Sequence, residues 1–298
     1  MQLPQGSHYI RCNVLNDKDC NTVVTNFYQI GPCSVRIESI LDLLMMFVEE
    51  PLFDSLRTKE QLGYYVASSV RINYGIAGYS ITVNSQETKN TACHVEERIE
   101  VFRGKMLQIL EEMPQDEFDH VRESLIKIKQ VVDMSLSEEV ARNWGEITCE
   151  EYLFDRKRKE VEILRTLEKQ EIIDFCLNNE RTNLRKLSVQ VIGHTPCVID
   201  TETDQTLDKN AETADVAHLD EEDDDEDNEE LFNALANKLD LKFIPREGDA
   251  TTIVDINDFK ENLHVYPITK TKLESPIIDT DNRGGATPTS AMDIIEDC

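Results

Sequence analysis

Arg57 and Tyr64 stand seven positions apart, where a predicted helix gives way to a predicted strand. The arginine offers a planar cationic fork that suits a carbonyl oxygen or a carboxylate. The tyrosine offers a phenol hydroxyl as a second donor. Held near each other, the two side chains could stabilise the charge that develops on a carbonyl oxygen during acyl transfer. The alternative is structural: Arg57 closes a helix end and Tyr64 packs at a strand edge.

The segments around this pair would have to hold it in place. Apolar residues recur at helical spacing from Ile37 to Val48, and Pro51 interrupts the pattern. A second helical segment, Phe53 to Gln61, carries the arginine near its carbonyl end, where cations are favoured. Gly63 follows, where a helix stop or a positive φ is expected. Tyr64 to Arg71 then alternates as a strand, so the corner would fix both donors on rigid elements.

The order of predicted elements indicates an α+β fold, with a mostly antiparallel sheet and helices layered on one face. Trp144, the only tryptophan, is expected to pack between helices. In chain order the predicted elements are a hairpin of His8–Leu15 and Thr22–Ile30, a helix Ser34–Glu50, a second hairpin of Tyr64–Arg71 and Ala77–Asn84, helical stripes from Val95 to Met113 and from Phe118 to Val132, a helix opened by a capping box at Ser135 and Glu138, and a strand Leu187–Ile192.

Charge is spread unevenly along the 298 residues, whose formal net charge is −28. Residues 200–230 hold 16 acidic side chains and one lysine, a net charge of −15 in 31 positions. The rest of the chain is only moderately acidic, and its 40% hydrophobic content suffices for a globular core. No basic patch of the kind that binds nucleic acid is predicted.

Composition also divides the chain. Residues 1–197 are predicted to form the folded domain. Residues 198–230 are polar and acidic and are expected to be a disordered insert. Residues 231–270 are expected to form a C-terminal segment with short helices that docks back onto the domain, and residues 271–298 a flexible tail.

The eight cysteines include no Cys-x-x-Cys pair and show no disulfide framework. Neither a signal peptide nor a long apolar run is evident, so a cytoplasmic location and no membrane partner are expected. Two histidines, His94 and His120, begin patterns that resemble a zinc motif, but each lacks the second imidazole that a ligand pair requires. They are expected to be helix-surface residues, and the chain is predicted to bind neither metal nor cofactor.

A resemblance to a known family rests on several blocks of sequence. The first runs Glu-Glu-Pro-Leu-Phe-Asp-Ser-Leu-Arg-Thr-Lys-Glu-Gln-Leu-Gly-Tyr over residues 49–64. Further blocks lie at residues 75–83, 142–147, 152–156 and 187–193. Together they resemble the nardilysin and insulin-degrading enzyme branch of the M16 zinc metalloendopeptidases, over roughly residues 3 to 193.

This resemblance implies an M16-type α/β sandwich, one of four in a full enzyme, and matches the fourth. It implies that zinc is bound in the first domain, outside this chain, so the chain alone is predicted to be inactive. It further implies that Arg57 and Tyr64 reach into the chamber and contact the substrate near the scissile bond. The expected partners are peptide substrates, including basic ones, the N-terminal M16 domains, and a second copy in a homodimer.

A second hypothesis comes from a different class. An isolated M16-type domain could be a non-catalytic binding or scaffold protein that holds basic partners with its sheet edge and acidic tract. The acidic tract could equally be a solvated insert that only maintains solubility. An in-frame His-x-x-Glu-His upstream of Met1 would favour the enzyme.

Overall fold

The structure is a computed structural model that describes residues 1–16, 18–181, 184–194, 243–245 and 251–266. These residues belong to one compact unit, 1–268. The predicted acidic insert and tail lie outside the described residues, as does most of segment 231–270, so the domain boundaries stay predictions. No helix in the described ranges is long and apolar enough to cross a membrane.

In these ranges the chain forms five strands, a series of α-helices and one π-helix. The strands are β1 (Gly6–Asn13), β2 (Asn21–Pro32), β3 (Tyr65–Asn73), β4 (Ile76–Gln86) and β5 (Arg185–Ile192). The α-helices are α1 (Val35–Leu52), α2 (Ala92–Glu112), α3 (Gln115–Lys129), α4 (Leu136–Thr148), α5 (Arg156–Leu164), α6 (Lys169–Arg181) and α7 (Ile256–Glu261). The π-helix spans Phe53–Lys59.

The described strands form one sheet in the order β1-β5-β2-β4-β3. The β1–β5 pairing is parallel, and the other three pairings are antiparallel. Along β2 the side chains of Thr22, Val24, Asn26 and Tyr28 are buried, whereas those between them are half-exposed. Such alternation is typical of a sheet covered by helices on one face. The predicted α+β fold is confirmed.

The core lies between the sheet and the predicted helical stripes. Leu41, Leu44 and Val48 of α1 are buried, and α2 buries a stripe from Val95 to Leu110. Full burial of each such side chain stabilises the fold by about 1.5–3 kcal/mol. These helices therefore form the rigid base on which the candidate site is built.

A buried ionic cluster fixes α2 to the sheet. The ammonium of Lys186 on β5, 1% exposed, contacts the carboxylate of Glu96 and lies 3.1 Å from that of Glu100. Glu100 also accepts a hydrogen bond from the Tyr28 hydroxyl at 2.6 Å. Burial lowers the pKa of Lys186, but the adjacent carboxylates raise it by more, so the lysine remains charged. Removing one partner would leave a buried charge uncompensated.

The predicted hairpin of β1 and β2 is wrong. Strand β5 lies between them, parallel to β1 and antiparallel to β2. The linker between β1 and β2 hydrogen-bonds to the end of β5 instead, since Val14 N–H donates to the Ile192 carbonyl at 2.8 Å. Two neighbouring alternating segments do not reveal a strand that arrives some 170 residues later and separates them.

The second predicted hairpin is confirmed. Strands β3 and β4 pair from Tyr65 opposite Asn84 to Asn73 opposite Ile76. Tyr74 and Gly75 form the two-residue turn, with φ of 50° and 72°. Positive φ at both turn positions matches the twist of the two strands, as in type I′ hairpins.

Pro51 does not end the first helix, contrary to the prediction. Helix α1 continues through Pro51 and passes directly into the π-helix, and the N–H of Phe53 is hydrogen-bonded to the Glu49 and Glu50 carbonyls. A proline removes one helical N–H and crowds the carbonyl four residues earlier. Here the chain widens into a π-helix rather than leaving the helical path.

Trp144 does not pack between helices, which is a second correction. Its side chain is 61% exposed on α4, alongside other exposed apolar side chains of the same helix, Leu136, Val140 and Ile147. Ser135 opens α4 as predicted, because its hydroxyl accepts from the Glu138 N–H at 3.2 Å. The amphipathic pattern was present, but the apolar side of this helix faces away from the described core.

The described C-terminal residues lie against the outer edge of β1. The Ile253 N–H donates to the Tyr9 carbonyl at 2.8 Å, and the Ile244 N–H donates to the Arg11 carbonyl at 2.8 Å. On α7, Phe259 packs against the His8 ring, with 5.6 Å between centroids. These contacts cover one edge of the sheet.

Candidate functional site

The structure brings Arg57 and Tyr64 together. The guanidinium carbon of Arg57 lies 4.3 Å from the centroid of the Tyr64 ring. The centroid of the Phe53 ring lies 4.4 Å from the same carbon. Phe53, Arg57 and Tyr64 therefore form a cation–π cluster, the Arg57 stack, in which both rings contact the guanidinium without using its N–H donors in hydrogen bonds.

The π-helix supplies two members of this stack. Phe53 and Arg57 are four positions apart in it, and such neighbours lie on the same side of a helix. Arg57 also lies in the last turn, as predicted, where unpaired carbonyls favour a cation. The π-helix that follows Pro51 thus places Arg57 at the C-terminal end of a continuous helical segment.

The corner after the π-helix places Tyr64. Gln61, with φ of 52°, adopts the left-handed conformation that the sequence assigned to Gly63. The glycine is needed for a different reason: a Cβ on Gly63 would lie 1.8 Å from the backbone oxygen of Asn84. The chain can cross β4 this closely only without a side chain.

Hydrogen bonds fasten the same corner to β4 and the loop after it. The carbonyl of Leu62 accepts from the Ser85 hydroxyl at 2.5 Å and from the Asn90 side-chain amide at 3.2 Å. Glu60, just before the corner, pairs with Arg98 of α2 through two bonds of 2.6 Å and 2.9 Å. These bonds hold the pKa of the Glu60 carboxyl below its usual value.

Both candidate side chains remain available to a ligand. Tyr64 is 83% exposed, and Arg57 is half-buried. Within the described part of the chain, neither side chain makes a hydrogen bond or an ion pair. Arg57 contacts Tyr64 through the face of the tyrosine ring. The donors could therefore bind a carbonyl oxygen or a carboxylate.

The Arg57 stack opens onto a groove of about 700 Å³, which we call the Arg57 groove. It is lined by residues 21, 57, 61–65, 84–86 and 89. The lining contains two basic side chains, Arg57 and Lys89, together with polar amides, hydroxyls and one leucine. None of the described acidic residues lines it, so the groove suits an electron-rich ligand.

Two residues of the site were missed from the sequence. Phe53 could have been found, because an aromatic residue four positions before an arginine in a helix is placed to stack on it. Lys89 could not, because it belongs to the loop after β4 and reaches the groove only through the fold.

Within the described ranges, no three or more His, Cys, Asp or Glu side chains come together in a way that could hold a metal ion. His94 and His120 are exposed on α2 and α3, as expected for helix-surface residues. The six described cysteines are free thiols.

Comparison with known proteins gives three results. A family described as "PQQ synthase PqqF-like, C-terminal lobe domain 4" matches residues 43–144. Nardilysin of Rattus norvegicus is 39% identical over 194 residues, covering 65% of this chain and 17% of the relative. Insulin-degrading enzyme of Homo sapiens is 33% identical over 196 residues, covering 65% of this chain and 19% of the relative.

Solved structures agree on the fold. The crystal structure of pitrilysin superposes with a TM-score of 0.55 at 20% identity, covering 63% of this chain and 20% of that one. The periplasmic protease PqqL from Escherichia coli superposes with a TM-score of 0.50 at 8% identity, covering 64% and 21%. The chain thus spans only about a fifth of the length of the relatives it matches. It contains a C-terminal domain of the M16 peptidases, homologous to the matching parts of nardilysin and insulin-degrading enzyme.

Proposed function

We propose that this chain is the C-terminal, zinc-less part of a nardilysin-like M16 metalloendopeptidase. It would form the wall of the substrate chamber opposite a zinc site carried by N-terminal domains outside the chain. The observation that carries the proposal is the Arg57 stack, which presents unused donors at an open groove. Peptide hydrolysis would be the activity of the complete protein.

The stack suits a substrate carbonyl near the scissile bond. A donor helps catalysis when it is already oriented before charge develops on the substrate oxygen. The rings of Phe53 and Tyr64 both contact the guanidinium, and the Gly63 corner holds the phenol beside it. Little reorganisation would then be needed when a carbonyl oxygen arrives, so the groove can stabilise charge at low entropic cost.

We further propose that other M16 domains of the complete protein cover the apolar side of α4. Leu136, Val140, Trp144 and Ile147 are between 40% and 77% exposed along that helix. An exposed apolar patch of this kind is typical of an interaction surface. The missing domains are the occupant we favour, because the chain spans only 17% of rat nardilysin. Homodimerisation and a cytoplasmic location stay predictions.

Fluorescence of Trp144 tests this interface. In the isolated chain, emission should have the red-shifted maximum of a water-exposed indole and should be quenched strongly by acrylamide, because the side chain is 61% exposed. Adding the N-terminal domains should shift the maximum to shorter wavelength and protect the indole. In the isolated chain the emission comes from Trp144 alone, because the sequence has one tryptophan. Blue-shifted, protected emission from the isolated chain would contradict the exposed α4 face.

Substitution of Arg57 in the complete protein tests the chamber-wall role. Arg57→Ala should raise KM by about tenfold or more, because a charged hydrogen bond to the peptide is worth about 1.5–3 kcal/mol. Arg57→Lys should recover part of this loss, since it keeps the charge but not the planar fork. Peptide hydrolysis and thermal unfolding would be measured for each variant.

Lys59→Ala is the matched control, since it removes a neighbouring charge that is already paired with Asp54 at 2.6 Å. Unchanged kinetics for Arg57→Ala would contradict the proposal. So would a lower melting temperature with activity falling only in proportion. A complete protein that binds peptides and hydrolyses none would favour the binding or scaffold hypothesis.

A further inference from the structure

The Arg57 groove differs in charge from the rest of the chain. The sequence has 59 acidic and 31 basic residues, yet the part of the chain that the structure describes lines the groove with two basic residues and no acidic one. Nothing in the proposed chamber role requires this difference. It bears directly on which peptides the groove can accept.

The acidic residues that are close in sequence to the groove lining have hydrogen-bond or ion-pair partners of their own. Asp54 pairs with Lys59 at 2.6 Å, and Glu60 pairs with Arg98 at 2.6 Å. The carboxylate of Glu87 accepts from the Thr22 hydroxyl at 2.7 Å, and Glu87 does not line the groove. Asp54 and Glu60 are thus neutralised by cations of their own, whereas Glu87 keeps its charge outside the lining. The lining, as far as the structure describes it, therefore carries two positive charges and no negative one.

The loop that carries Lys89 is tied to the same corner as Tyr64. The N–H groups of Lys89 and Asn90 donate to the Gln86 carbonyl at 2.9 Å and 3.0 Å. The side chain of Asn90 then bonds the Leu62 carbonyl at 3.2 Å. Lys89 is thus a compact cation on an anchored loop, whereas Arg57 is a planar fork held by two rings. With the Arg57 donors assigned to the substrate carbonyl, Lys89 offers a nearby carboxylate an ion-pair partner, and the charge of Arg57 adds to the attraction.

We infer that the Arg57 groove binds a carboxylate of the peptide, with Lys89 as a specificity-determining residue. The carboxylate is an acidic side chain or the C-terminal carboxylate, which present the same chemistry. The inference rests on the proposed function and adds a substrate class to it. It also means that any preference for basic peptides arises elsewhere, because a lysine or arginine side chain in this groove would meet like charge.

Matched peptides and the 298-residue chain provide the test. Four acetylated, fluorescent decapeptides of one neutral sequence would be compared by anisotropy: one with a central Glu, one with a central Lys and one all-neutral, each amidated, and the neutral peptide with a free C-terminus. The Glu peptide should bind about tenfold more tightly than the Lys peptide at low salt. The difference should shrink at high salt, because exposed charges are screened. A gain for the free C-terminus over its amide would identify the terminal carboxylate as a second source.

Charge reversal makes the test specific to the groove. Lys89→Glu should reverse the preference, so that the Lys peptide binds more tightly. Lys127→Glu on α3 is the matched control, because it makes the same change in net charge at an exposed position outside the groove, and it should leave the preference intact. Circular dichroism would confirm that both variants are folded.

Three outcomes would overturn the inference: equal binding of Glu and Lys peptides, a Lys89→Glu effect no larger than that of Lys127→Glu, or no binding of any peptide. Each can be told apart from failure of the chamber role. That failure would appear as wild-type kinetics in Arg57 variants of the complete protein.

Discussion

Replacing Tyr64 by phenylalanine should lower kcat of the complete peptidase by about 10²- to 10³-fold, the loss typical for one oriented donor to a developing oxyanion. The substitution removes only the hydroxyl. The ring can remain on the Arg57 guanidinium, which lies 4.3 Å from its centroid, so the arginine keeps its orientation. KM should change little, because the lost bond acts mainly when charge builds up on the substrate.

Tyr65→Phe is the matched control. Tyr65 also lines the groove, is 55% exposed and loses the same hydroxyl, but its ring makes no cation–π contact with Arg57 in the described structure. Its kcat should stay within about twofold of wild type, because its hydroxyl is not held beside the Arg57 guanidinium. Both melting temperatures should be unchanged, since an exposed hydroxyl adds little to stability. Wild-type kcat in a folded Tyr64→Phe enzyme would exclude the catalytic role.

Gly63→Ala should destabilise the domain by about 3 kcal/mol or more, at the upper end of the range for overpacking. The new methyl carbon would lie 1.8 Å from the Asn84 oxygen and 2.8 Å from the Asn84 carbonyl carbon. Both atoms belong to the backbone of β4, so they cannot turn aside as the end of a flexible side chain can. Urea unfolding followed by circular dichroism would measure the change.

Gly104→Ala supplies the contrast for this prediction. Gly104 lies inside α2, and a Cβ there would have nothing within 4 Å. The same substitution should therefore stabilise the protein, by about 1 kcal/mol, because alanine is the better helix former. If Gly63→Ala proved neutral, the close crossing over β4 would be wrong, and with it the geometry that places Tyr64.

Local patterns alone determined much of this protein. Helical spacing from Ile37 to Val48 predicted the first core helix, and alternation on either side of Asn73–Gly75 predicted the β3–β4 hairpin. These predictions succeeded because periodic burial and two-residue turns depend on residues close in the chain. The pairing of Arg57 with Tyr64 was also visible, because only a short corner separates the π-helix that carries Arg57 from Tyr64, which directly precedes β3.

Tertiary structure alone decided the features that depend on distant partners. Strand β5 separates β1 from β2, and β4 passes so close to Gly63 that only a glycine fits there. Trp144 lies outside the core although its helix is amphipathic, because periodicity shows that a helix has an apolar side but not which surface will cover it. The charge of the Arg57 groove is likewise set by Lys89, which the fold brings in from another loop, and by acids whose own partners neutralise them. Such contacts join residues far apart in sequence, so no local sequence pattern predicts them.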